Sequence, residues 1–354
     1  MPTRARAALT LGAALLSAVL SLGVQATPIQ IAEPGHGDII TFREVVNRVR
    51  QGNSYYEAMA GELRTRGYPM QSVFNWRTPL HLSLVALAPD RWAQAVLVAL
   101  AVVAVCLLWP VTARVRFTRM ACGTMAVGTV LVTAAPDAVF LPESWSGVLI
   151  GCSAGALSRR RTYWGVGAGL AALAMRELAA PYCVVCTAMA LFNRDWTQVR
   201  VWLLGAVGYG LYFAWHVSGI AGMTQPDDLA QSASWVQFGG VPAVLAAMSW
   251  TSWWFLAPPG ATPLLFTLVA SGIVAPETPR HARVAGAVFL GFLLVAGQPF
   301  NHYWGLVAAP VWAVVAGCGA AGLVAAAGHL RRPSTTIFNG ERPAGVGRHP
   351  VRPG

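Results

Sequence analysis

The chain has 354 residues, 55% of them hydrophobic and only 11% charged, with a net charge of +11. A soluble domain carries about 25% charged residues, so this composition excludes a water-soluble enzyme, a disordered chain and a secreted disulfide scaffold. All 25 basic residues are arginine, which leaves no lysine nucleophile, no Schiff base and no Walker-type phosphate loop.

From the N-terminus, Arg4 and Arg6 precede an apolar run over residues 7–24, and Val24-Gln25-Ala26 follows it. The run reads either as a signal peptide with its cleavage site or as an uncleaved first anchor; both put the next residues on the outer face. Residues 28–80 are the longest extramembrane stretch. Within it, Ile39, Phe42, Val45, Val46 and Val49 fall at helical spacing over 38–50. This predicts an amphipathic helix lying on the outer membrane face, with Asp38 in N-cap position. Gln51 to Tyr56 predict a polar turn with aromatics, and Phe74 to His81 return the chain to the membrane.

Further apolar segments cover 92–111, 120–135, 145–157, 162–175, 178–192, 201–218, 241–257, 261–275, 284–297 and 303–328. Arginine clusters stand between them: Arg114, Arg116 and Arg119; Arg159 to Arg161; Arg194 and Arg200; Arg280 and Arg283; Arg331 and Arg332. The positive-inside rule places all of these in the cytoplasm, so an even number of crossings separates successive clusters. Residues 162–193 must then form a hairpin with legs of about 15 residues, roughly 22 Å each, against a hydrocarbon core of about 30 Å. Its apex, Arg176 to Pro181, sinks toward the outer side of the membrane, where a charge needs a partner or a wet cavity. The same parity makes 241–257, with Trp250, Trp253 and Trp254, a re-entrant or interfacial segment.

These elements predict an all-α polytopic membrane protein. One transmembrane domain covers 1–332, with about 10 transmembrane helices plus re-entrant or interfacial helices and both termini inside. Residues 333–354, rich in Pro, Gly and Arg, read as a disordered cytoplasmic tail. The positive charge then reflects membrane orientation rather than a nucleic-acid partner. Cys183 and Cys186, a lone C-x-x-C in an apolar helix, read as packing residues.

The polar residues of note gather on one face: Asp38, Arg77, Glu143, Arg176, Glu177 and His302. Each has a plain structural reading. Asp38 and Glu143 could cap helices, and Arg77 could snorkel at the interface. Arg176 and Glu177 could neutralise each other, although adjacent helical residues point about 100° apart. His302 could be a satisfied interfacial histidine. Their convergence on one side favours a site.

The order of motifs resembles a known superfamily. One span leads to an outer loop that opens with Asp38 and Phe42; Gly52 to Tyr56 follow, then a Trp76-Arg77-Thr78-Pro79-Leu80 re-entry ending in Pro89. Next come Pro142-Glu143-Ser144-Trp145-Ser146-Gly147 and Met175-Arg176-Glu177-Leu178-Ala179-Ala180-Pro181-Tyr182, and finally Asn301-His302-Tyr303-Trp304. Over residues 5–328 this is similar to the GT-C superfamily of multi-spanning glycosyltransferases, most of all bacterial polyprenyl-phosphate-sugar-dependent enzymes of the mannosyltransferase kind. The resemblance implies Asp38 as general base and Glu143 as the second acid, with Glu177 and Tyr56 on the acceptor side. It implies Arg176 and His302, with Arg77 as the fallback, as the groups that hold the donor phosphate. The partners implied are a polyprenyl-phosphate sugar donor, a glycan or glycolipid acceptor and membrane lipid. The first loop carries one Asp where many members have an acidic pair, so no metal or other cofactor is assigned and a divalent ion is left open.

The chemistry suits these residue types. Arginine holds a phosphate leaving group with a bidentate fork, a carboxylate takes the acceptor's proton, and base and leaving group on opposite faces of the sugar imply inversion. Two alternatives stand beside the inverting transferase at the outer face of the cell membrane: a transporter or flippase of a lipid-linked solute, and a non-catalytic membrane subunit of the same fold.

Overall fold

The computed structural model describes residues 3–27, 37–109, 116–230, 234 and 236–331. The tail expected over 333–354 lies outside the described residues, as do 28–36 of the first loop. Fourteen α-helices occur among the described residues, and the only extended pairing there is a single bridge between Val236 and Ala296. The protein is all-helical.

The helices are α1 (Thr3–Ser21), α2 (Asp38–Arg50), α3 (Tyr55–Thr65), α4 (Pro79–Ala86), α5 (Asp90–Leu108), α6 (Arg116–Thr133) and α7 (Pro142–Ser158). Then come α8 (Thr162–Met175), α9 (Ala180–Phe192), α10 (Trp196–Ala221), α11 (Gly240–Met248), α12 (Thr262–Val274), α13 (Arg280–Val295) and α14 (Ala309–Arg331). Three are long and apolar enough to cross a membrane: Asp90–Leu108, Trp196–Ala221 and Phe300–Gly328, the last including the turns that lead into α14. α14 is the central post, with 83% of its apolar window buried, whereas α10 is peripheral, with 11% buried and Leu204 and Leu211 turned outward. The remaining apolar segments form shorter helices.

Contacts sort the helix ends into two groups. At one end, Arg159 donates to the carbonyls of Cys106 (3.1 Å) and Trp109 (3.3 Å), where α5 closes. Arg280 donates to Asn193 Oδ1 (3.2 Å) and the amide of His281 to Ser158 Oγ (3.2 Å), while Arg283 donates to the carbonyl of Ala275 (2.8 Å). The arginines of the α7–α8, α9–α10 and α12–α13 connections therefore share one end. At the opposite end, Arg43 pairs with Asp137 and Arg50 with Asp90 (2.7 Å), Thr78 Oγ1 donates to the carbonyl of Ala174 (2.9 Å), and the amide of Thr27 donates to the carbonyl of Pro242 (3.2 Å). Short connections between successive helices make this alternation natural.

α7 and α9 end alike. In each the chain closes a 6→1 bond, Arg161 N to Ala156 O and Asp195 N to Ala190 O, both at 2.9 Å. The residue in the left-handed position, usually glycine, is arginine in both: Arg160 (φ 59°) and Arg194 (φ 58°). A side chain there costs about 1–2 kcal/mol, more than the roughly 0.3–1 kcal/mol that a cation returns at a helix C-terminus.

Several expectations need correction. The apolar face of α2 does not lie on the membrane: Phe42, Val45 and Val46 are buried in a protein cluster with Met59 and Leu82, from α3 and α4. The segment after Gln51 is not only a turn, because Ser54 and Glu57 form a capping box that starts α3. Residues 241–257, expected as a re-entrant or interfacial segment, form a broken one: α11 stops at Met248, Ser252 takes a positive φ of 51°, and Ser252 Oγ donates to the carbonyl of Met125 (2.7 Å) on α6. α1 packs against α12 and α14 as part of the bundle.

Candidate active site

The polar residues that the sequence singles out meet where α2, α7, the α8–α9 break and the segment before α14 come together. Asp38 is the first residue of α2, not its cap. The N-cap is Gly37, with no side-chain bond, so the capping explanation of Asp38 fails. Its carboxylate is turned into the protein instead. Oδ1 accepts from Tyr68 (3.0 Å), Oδ2 accepts from Tyr303, and Arg77 Nη2 lies 3.6 Å from Oδ2. A carboxylate has about four acceptor sites, so these contacts fix its orientation and leave acceptor capacity for a further donor. Burial and the Asp38 charge both push the Tyr68 hydroxyl up, which keeps it a donor.

Arg77 does not snorkel. It is 6% exposed, and its guanidinium stands 5.6 Å from the centroid of Phe42. Its Nη1 donates to the Phe74 carbonyl (3.3 Å), and its own carbonyl accepts from Tyr55. Burial works against the Arg77 charge, but Tyr303, Asp38 and Glu143 outweigh it and leave its proton affinity above the ordinary value. Its Nε is buried without a hydrogen-bond partner among the described residues.

Glu143 does not cap α7 either; that place belongs to Leu141, and Glu143 is fully buried. Its Oε1 accepts from Arg176 Nε (2.7 Å), while its Oε2 is buried without a partner among the described residues. Arg176, 1% exposed, also pairs through Nη1 with Glu177, against the expectation that neighbours on a helix diverge. The reason is local: Arg176 sits in the break between α8 and α9 with φ −155°, an extended residue whose side chain is free to swing back. Its guanidinium lies 5.5 Å from the Trp304 ring centroid. Gly147 lets α7 approach this segment, since a Cβ there would collide with the carbonyl of Leu306. Close contact one turn beyond Glu143 and Tyr303 seats both.

Arg77, Arg176 and Glu177 form the polar end of a cavity of about 570 Å³ whose other walls include Phe74, Leu178, Phe292 and Trp304. The volume lies within the usual range of small-molecule sites, about 300–1,000 Å³. His302 is not in it. Its ring stacks on Trp250 (5.3 Å between centroids) and faces a smaller cavity of about 200 Å³ with Gln298 and Asn301. Tyr56 is also elsewhere, with its hydroxyl 3.1 Å from His216 Nδ1 on α10. In both cases the neighbouring residue makes the contact: Tyr303 reaches Asp38, and Tyr55 reaches Arg77. Tyr68, Tyr303, Tyr55 and Trp304 are site residues to which the sequence reading gives no role. Tyr303 and Trp304 stand in it only as part of the Asn301-His302-Tyr303-Trp304 motif, and Tyr55 only as part of the expected turn.

Among the described residues no group of three His, Cys, Asp or Glu could hold a metal ion. Cys183 and Cys186 pack in the main hydrophobic core. No family model, curated protein or solved structure matches the chain.

Proposed function

We propose that the protein is an inverting glycosyltransferase of the membrane. It moves a sugar from a polyprenyl-phosphate donor to a glycan or glycolipid acceptor. The observation that carries this reading is the cavity whose apolar walls end in Arg77, Arg176 and Glu177, with Arg77 directly against Asp38. A lipid phosphate has that polarity: an apolar chain and an anionic head. In the proposed topology about ten helices cross the bilayer, the arginine clusters lie in the cytoplasm and the Asp38 end faces outside.

Arg77 and Arg176 hold the phosphate and stabilise its charge as it leaves. Asp38 accepts the proton of the acceptor hydroxyl. The acceptor oxygen bonds to the anomeric carbon while the bond from that carbon to the phosphate oxygen breaks. The electron pair stays on the polyprenyl phosphate, and the sugar inverts. Tyr68 and Tyr303 orient the base. His302 serves the sugar or acceptor side in this reading, since it lines the neighbouring cavity rather than the arginine one.

The test is consumption of a radiolabelled polyprenyl-phosphate sugar by membranes that carry the full chain. Transfer of label in the wild type and its loss in Asp38→Asn support the reading. Label that crosses the membrane with the sugar–phosphate bond intact would make the protein a transporter.

A second reading draws on one observation. Arg176 is answered by two carboxylates, Glu143 and Glu177, a closed arrangement that suits a non-catalytic membrane subunit of the same fold. Such a subunit consumes no donor and copurifies with a partner.

A further inference from the structure

The end of the bundle opposite Asp38 has its own construction. Three element termini meet there: the α7–α8 turn, the α9–α10 turn and the start of α13, tied by Arg280 to Asn193 and by His281 to Ser158. Arg159 and Arg283 direct their guanidiniums at backbone carbonyls. Arg160, Arg161 and Arg194 are exposed. Two of these, Arg160 and Arg194, occupy left-handed positions that glycine fills without strain. Helix-terminal charge alone does not compensate an arginine at such a position, and the same choice is made on two adjacent turns. A backbone outlier retained twice points to a use for the side chain.

Aromatic rings mark the same level. Tyr163 and Trp164 open α8, Phe192 closes α9 and Trp196 opens α10, with exposures of 70%, 79%, 87% and 55%. Amphipathic rings at helix ends sit at the headgroup level of a bilayer. The acid nearest in sequence, Asp195, spends Oδ1 on the Gln198 amide (3.0 Å) as the cap of α10.

We propose that Arg160, Arg161 and Arg194 form a binding site for the phosphodiester headgroup of an anionic phospholipid. The guanidiniums supply charge and paired donors to the phosphate oxygens, while Trp164 and Trp196 flank the glycerol and upper acyl region. The occupant is a lipid because the arginines and the exposed rings share one rim. The proposal requires a membrane protein but does not depend on transferase activity, so either can fail without the other.

The test compares phosphatidylglycerol and phosphatidylcholine of matched chains, titrated onto the full-length protein and counted as retained lipid by native mass spectrometry. The wild type should prefer phosphatidylglycerol. Arg160→Gly combined with Arg194→Gly suits the backbone at both turns, and its preference should fall about 30-fold. Arg91→Gln, which removes one positive charge at the Asp38 end of the bundle, should leave the preference in place. Equal retention of the two lipids by the wild type overturns the proposal without reference to any variant. An unchanged preference in the double variant, or an equal loss in Arg91→Gln, also overturns it.

Discussion

The two ends of the bundle use arginine in opposite ways. At the Asp38 end, Arg77 and Arg176 are buried and answered by carboxylates: Asp38 for the first, Glu143 and Glu177 for the second. At the other end, arginines are exposed or cap the backbone, and Arg159 and Arg283 donate to carbonyl oxygens. Burying charge is expensive unless the pairing is good, whereas a surface cation costs little. One residue type therefore meets solvent and backbone carbonyls at one end and forms buried ion pairs at the other. Changes to the buried Arg77 and Arg176 should do severe damage, and changes to the exposed arginines of the other end very little.

The largest expected effect is at Asp38. Asp38→Asn cannot take a proton, and turnover should drop roughly 10²–10⁴-fold, measured on folded protein with a labelled lipid-phosphate sugar. The sequence alone suggests that this change is silent for stability. With Tyr68, Tyr303 and Arg77 all on the carboxylate, the variant should instead lose about 1–3 kcal/mol. Near wild-type transfer would end the catalytic assignment, while full stability would mean that the network matters less than its geometry suggests.

Arg176→Ala comes next. Removing the guanidinium strands Glu143 in a fully buried site, a loss of about 3–5 kcal/mol. Thermal unfolding in detergent reads this directly. Arg176→Met combined with Glu143→Gln removes the charges of this pair together and should recover part of the loss. If Arg176→Ala is stable but binds donor poorly, the cluster is a ligand site first and a structural pair second.

Tyr303→Phe tests the link between the α14 segment and α2. It deletes one hydroxyl donor to Asp38 and leaves the ring. A hydrogen bond to a charged group contributes about 1.5–3 kcal/mol, so turnover should fall at least tenfold. Tyr56→Phe, whose hydroxyl meets His216 instead, should leave turnover near wild type. Equal effects of the two changes would erase the distinction drawn between them.

Much of the frame was legible in the sequence because apolar runs bounded by arginine or proline are strong signals. The observed α8 and α9 match the expected hairpin legs closely, and the Arg159, Arg194 and Arg280 turns do share one end. The first loop was read less well. The Ser54-x-x-Glu57 pattern is a capping box that starts α3, where the aromatics beside it predict only a turn. Of the named polar residues, Arg77, Arg176 and Glu177 line one cavity and His302 another, and their partners were out of reach. Tyr303 and Asp38 are separated by 265 positions, and a pairing at that range leaves no local pattern. Glu177 reaches Arg176 only because the backbone there is extended, a property of the α8–α9 break rather than of either residue.

The smallest effect should come from Arg160→Gly. Relief of the left-handed strain gives back about 1–2 kcal/mol. Loss of the cation at the end of α7 removes roughly 0.3–1 kcal/mol, and the greater freedom of glycine in the unfolded chain takes about 0.5–1 kcal/mol more. The balance is a change within about 1 kcal/mol of zero, in either direction. Paired melting curves of Arg160→Gly and wild type, with Arg176→Ala alongside, set the two ends on one scale. A clear loss of stability in Arg160→Gly would mean that the guanidinium holds the α7–α8 turn together. The contrast between the buried arginines of one end and the exposed arginines of the other would then be one of degree, not of kind.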